Sequence, residues 1–74
     1  MIKLELNNNY SYQDLEKVFE EMRLTDPNMV WKEYGDSFVI GDQFIVIFST
    51  ETYSFVMTGY NDVRGAIFKL VNIS

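Results

Sequence analysis

The chain has 74 residues, 47% of them hydrophobic and 16% aromatic, with a formal net charge of −5 and neither Cys nor His. That length suits one domain, whose core supplies a margin of only about 3–5 kcal/mol. The composition excludes a disulfide framework, an ordinary zinc site and intrinsic disorder. The six cations are scattered, with no two adjacent, which argues against a groove that tracks phosphates and against an anionic membrane surface.

Residues 2–6 alternate apolar and charged, the pattern of a short strand with one buried face. Asn7, Asn8 and Asn9 then favour a turn. Ser11 is a helix N-cap, with Asp14 three residues on as an Asp variant of the capping box. Tyr10 and Leu15 are placed to form a hydrophobic staple. Leu15, Val18, Phe19 and Met22 recur at helical spacing and define the buried stripe. The helix stops at Thr25-Asp26-Pro27-Asn28, because the residue before proline is pushed out of the helical region.

Residues 29–34 read as a strand, although Asp26-Pro27 could also open a short helix there. Residues 37–40 read as a further short strand between two Gly-Asp turns. Phe44, Ile45, Val46, Ile47 and Phe48 are five consecutive apolar residues, which marks a central strand with two apolar faces. Phe44, Val46 and Phe48 share one face with Tyr53, Phe55 and Met57 of the strand that follows. Ile45, Ile47 and Val56 fall on the other. Asn61 is placed to cap a second helix over residues 61–73, with Val63, Ala66, Ile67, Leu70 and Val71 at helical spacing. Ala66 to Ile73 also alternates as a strand, but the five-position match extends through the cap and favours helix.

The expected architecture is a single two-layer α+β domain. Its antiparallel sheet of three to five strands carries two amphipathic helices on one face, in the order β-α-β-β-β-β-α. The helix–three strands–helix part resembles the double-stranded-RNA-binding domain in the order of its elements. That family grips phosphates with a Lys-rich start to its second helix. The matching stretch here, Tyr60-Asn61-Asp62-Val63-Arg64-Gly65, has one cation and one acid. The resemblance therefore implies no function.

Catalysis finds little support. General acid–base work usually needs His or a carboxylate shifted by burial, and no spacing singles out a carboxylate pair. No serine lies in a Gly-x-Ser-x-Gly frame, and the glycines are isolated. Asp36, Asp42 and Asp62 lack calcium-loop spacing and read as turn residues. No catalytic residue, metal ligand or cofactor is expected. Lys3 and Glu5 interrupt any signal-peptide core, and no apolar run approaches the roughly 20 residues of a membrane span. A soluble cytoplasmic protein follows as the expectation.

A compact, acidic, aromatic-rich domain fits a non-enzymatic protein-binding module. The favoured form is a small inhibitor or mimic that blocks a basic, nucleic-acid-handling protein, a character shared with small acidic proteins of viruses and mobile elements. The candidate partner-binding residues are Glu16, Glu20 and Glu21 on the polar helix face, Trp31 and Tyr34 as interface-type aromatics, and Phe68. A helical wheel over residues 61–73 leaves Phe68 at least half exposed. The expected partner is a protein with a basic surface, with no direct nucleic acid and no membrane. The alternative is an assembly protein, a homodimer or small subunit. Two helices cover one sheet face, so Ile45 and Ile47 on the other need the N-terminal strand, a loop, a second copy or a partner.

Overall fold

A computed structural model of the chain describes residues 3–35 and 38–74. Five strands form one antiparallel sheet: β1 (Asn9–Ser11), β2 (Val30–Tyr34), β3 (Gln43–Phe48), β4 (Glu51–Asn61) and β5 (Gly65–Ile73). The helix α1 (Tyr12–Thr25) lies between β1 and β2 in sequence. Strand order across the sheet is β1-β5-β4-β3-β2. The two-layer α+β class is as expected, with one helix in place of two.

The helix begins where its cap dictates. Ser11 is extended, and its hydroxyl accepts from the Asp14 N–H at 3.2 Å. Leu15, Val18, Phe19 and Met22 are all buried against the sheet. They meet Phe44 and Val46 of β3, Phe55 and Met57 of β4, and Ala66, Phe68 and Leu70 of β5. Phe44 and Phe55 are cross-strand partners and stack 4.9 Å apart. Phe19 meets both rings edge-on, at 6.1 and 5.8 Å.

Three elements differ from expectation. The second helix is instead β5, which pairs with β4 on one side and β1 on the other. Asn61 explains the confusion. Its Oδ1 accepts from the N–H groups of Val63 and Arg64, at 2.8 and 2.9 Å. The same chemistry caps a helix or starts a turn. Gly65 then takes φ +84°, where a right-handed helix cannot continue, and the chain returns as a hairpin.

The expected strand at 37–40 is a turn over residues 38–41. Ser37, with Asp36 before it, lies outside the described residues. The turn closes with Asp42 N–H donating to the Val39 carbonyl at 3.0 Å. Phe38, Val39 and Ile40 stay exposed, at the same end of the sheet as Tyr60 and Val63.

The expected N-terminal strand is also absent. Residues 3–5 have no regular structure, residues 6 and 7 turn, and Ile2 lies outside the described residues. The edge of β5 that this segment would need is taken by the residues that follow it. Asn7 N–H donates to the Leu70 carbonyl, Leu70 N–H to the Asn8 carbonyl, and β1 continues the pairing. Leu4 packs on the core from the helix side instead. The Tyr10 hydroxyl holds the segment there, accepting from Glu5 N–H at 2.7 Å and donating to the Lys3 carbonyl at 3.1 Å.

Candidate functional site

Pairing across the sheet assigns every strand residue to one of two faces. Trp31 pairs with Val46 and Glu33 with Phe44, so both lie on the helix side. Val30, Lys32 and Tyr34 pair with Ile47, Ile45 and Gln43, on the opposite side. The sequence-predicted residues therefore part company at β2: Trp31 joins α1, and Tyr34 does not.

On the helix side, Trp31 bridges the edge of the sheet to α1. Its ring lies 4.8 Å from Phe19 in an edge-on contact and 5.5 Å from Phe44. It leaves an open groove of about 450 Å³ between β2 and the helix, lined by Glu16, Phe19, Glu20, Arg23, Leu24 and Trp31. Leu24 and Trp31 supply its apolar surface above the buried ring of Phe19, and Leu24 is 86% exposed. Glu16 and Glu20, one helical turn apart, line it with two carboxylates.

None of Glu16, Glu20 and Glu33 is in an ion pair among the described residues; Arg64 lies 3.9 Å from Asp14. The phenol of Tyr12 reports the resulting field. Its pKa is raised, first by burial and then by the negative charges of Glu16 and Glu33. The indole N–H of Trp31 is closed off from solvent and meets no acceptor among the described residues. Such a donor normally costs about 1–3 kcal/mol.

The structure thus brings together Glu16, Glu20 and Trp31. Glu21 is exposed on α1 but does not line the groove. Tyr34 is 48% exposed on the other face of the sheet. Phe68 has no exposed surface and belongs to the core, paired across from Met57 and Tyr10. Its expected exposure rested on the helical wheel and falls with the helix. Leu24 and Glu33 border this region without having been singled out. Leu24 was legible as an apolar residue off the helix stripe. Glu33 was legible as two positions from Trp31 in a strand, hence on its face.

The opposite face of the sheet has no covering layer among the described residues. Val30, Ile47, Ile45, Val56 and Ile67 form a diagonal apolar stripe across four strands. Ile47 is 36% exposed and Val30 41%. Lys32 and Lys69 flank the stripe with the hydroxyls of Thr52 and Ser54, and the strand residues on this face include no carboxylate. The open sheet face therefore presents two cations and no strand carboxylate, whereas α1 presents Asp14, Glu16, Glu20 and Glu21 against Lys17 and Arg23, a net negative layer.

Among the described residues, no three Asp or Glu side chains come close enough to hold a metal ion, and no helix is long and apolar enough to cross a membrane. No family model matches the chain, and neither a curated protein nor a solved structure is significantly similar to it.

Proposed function

We propose that the protein is a non-catalytic protein-binding module whose α1–β2 flank receives a basic surface of a partner protein. The observation that carries this reading is the groove, where Leu24 and Trp31 lie beside the carboxylates of Glu16 and Glu20; neither carboxylate is in an ion pair among the described residues, and together they outnumber the groove's one cation, Arg23. Apolar area supplies affinity, and the net negative charge that Glu16 and Glu20 leave at the rim beside Arg23 selects the partner and speeds encounter. The net charge of −5 extends the same field over the whole molecule. A basic surface that handles nucleic acid is the natural target of such a flank, and its occupation makes the protein an inhibitor of that partner.

The diagonal stripe on the open sheet face favours a second reading, assembly through that face as a homodimer or small subunit. One experiment separates the two. Capture from the native host's lysate is compared for the unaltered chain, the charge-reversed Glu16→Lys/Glu20→Lys chain and the open-face Ile45→Thr/Ile47→Thr chain. The first reading expects a basic protein that is lost with charge reversal and at high salt, and kept by the open-face variant. Capture that ignores charge reversal and salt, yet disappears with the open-face variant, would replace it with assembly.

A further inference from the structure

The sheet edge beside the groove supports a more specific inference, which rests on the acidic-flank reading above. β2 is the outermost strand, and its five residues pair with β3 without a register shift. On its outer side, no residue from Val30 to Tyr34 makes a backbone hydrogen bond among the described residues. It holds no proline, glycine or bulge, devices that commonly blunt an edge. Its one cation, Lys32, lies on the open face, away from the groove. The opposite edge is built differently. β1 covers Ile67 to Lys69, Asn7 and Asn8 bond Leu70, and Val71 is the extra residue of a bulge.

A strand added to β2 sends alternate side chains to the two faces. Those on the helix side enter the groove, where long aliphatic stems lie over Trp31 and Leu24 and their heads reach Glu16 and Glu20, with Glu33 on the same face of β2, three carboxylates against the one guanidinium of Arg23. Lys and Arg have that shape and charge. Those on the open side meet Val30, Lys32 and Tyr34, where the two apolar side chains suit apolar residues and the ammonium of Lys32 disfavours cations. We infer that a partner protein adds a short extended segment, alternating basic and apolar residues, to β2 as a sixth strand.

Charge decides between occupants. A second copy on the same edge would set two acidic flanks side by side, and a nucleic acid would bring phosphates against them. Both are like-charge encounters. A basic segment brings opposite charges together and satisfies the free backbone groups at the same time.

The probe is a fluorescent peptide alternating Lys and Val. It is compared with a fully backbone-N-methylated form and with a block peptide of the same composition. Fluorescence anisotropy measures affinity, and amide NMR maps the site. The expected result is binding that shifts and protects the amides of residues 30–34 and prefers the alternating peptide over the block peptide. N-methylation and Glu16→Lys/Glu20→Lys should each lower affinity by about tenfold or more.

Equal binding of the N-methylated peptide would overturn strand addition, as would shifts confined to the face of Ile45 and Ile47, or no binding of the alternating peptide. Sedimentation showing a dimer with residues 30–34 protected would give the edge to a second copy and overturn it too. If charge reversal abolishes binding while N-methylation does nothing, strand addition falls and the acidic flank stands. If charge reversal does nothing, both fall.

Discussion

Phe68 shows how much one side chain carries in so small a core. It is fully buried and meets the rings of Phe44 at 5.0 Å and Tyr12 at 6.3 Å, so it joins β5 to β3 and to the first turn of α1. Removing a buried Phe side chain costs about 3–5 kcal/mol, and a domain of this size holds about that much in total. Phe68→Ala is expected to abolish the cooperative urea transition. Phe68→Leu, which keeps most of the volume, is expected to retain it with a loss of about 1–2 kcal/mol.

Tyr53 makes a different kind of contribution. Its hydroxyl donates to Glu51 Oε2 at 2.7 Å. Burial first, then this bond and the charge of Glu51, push the phenol from 10.0 up to about 12. The fold therefore holds the protonated phenol more tightly than the unfolded chain does. The stability this confers is present in full below pH 10.0 and is lost as pH rises from there through about 12. Phenolate absorbance should show one tyrosine titrating near 12, and Glu51→Gln should bring it back toward 10.0. Tyr53→Phe should remove its share of the alkaline loss of stability.

At the scale of elements, the β4–β5 hairpin decides the architecture. Gly65 sits at φ +84°, and a Cβ built there meets no atom within 4 Å. A substitution is then strained by its backbone alone, by about 1–2 kcal/mol. Gly59 is the control, since it lacks a positive φ and also has open space around it. Gly65→Ala should lower the urea midpoint clearly, and Gly59→Ala should leave it nearly unchanged or raise it slightly. Equal effects of the two would mean that the left-handed position does not govern this turn. The hairpin also explains why the sheet has five strands. Turned back as β5, residues 65–73 become the strand that β1 needs as a neighbour.

At the scale of the whole molecule, one helix covers one face of a five-stranded sheet, and net charge differs in sign between α1 and the strand residues of the open face. The acidic flank has a cost in the free protein. Glu16 and Glu20 are like charges one turn apart, and the molecule carries −5. Glu20→Lys relieves that pair but places a cation three residues from both Lys17 and Arg23, so the fold's stability is expected to change by less than about 0.5 kcal/mol. Its melting temperature should stay close to that of the unaltered chain at both low and high salt. A binding defect in a Glu20→Lys chain that melts where the unaltered chain does is then a property of the surface and not of unfolding.

Short-range chemistry was legible in the residues themselves. The Ser11 cap and the stripe of Leu15, Val18, Phe19 and Met22 specify α1 because each acts within one or two turns of its own helix. The alternation around Phe44 and Phe55 specifies their shared face because successive side chains in a strand point to opposite sides. The acids at Glu16 and Glu20 were equally legible. Tertiary structure decided what depends on a neighbour. Residues 65–73 satisfy both helical and strand periodicity, and they are β5 because Gly65 turns the chain and β4 and β1 supply hydrogen-bond partners on either side. Residues 2–6 alternate well, yet the described ones form no strand, because Asn8 and β1 hold the edge of β5. The groove likewise exists only because β2 ends the sheet beside α1, which brings Trp31 to Glu16 and Glu20 across a separation that no local pattern encodes.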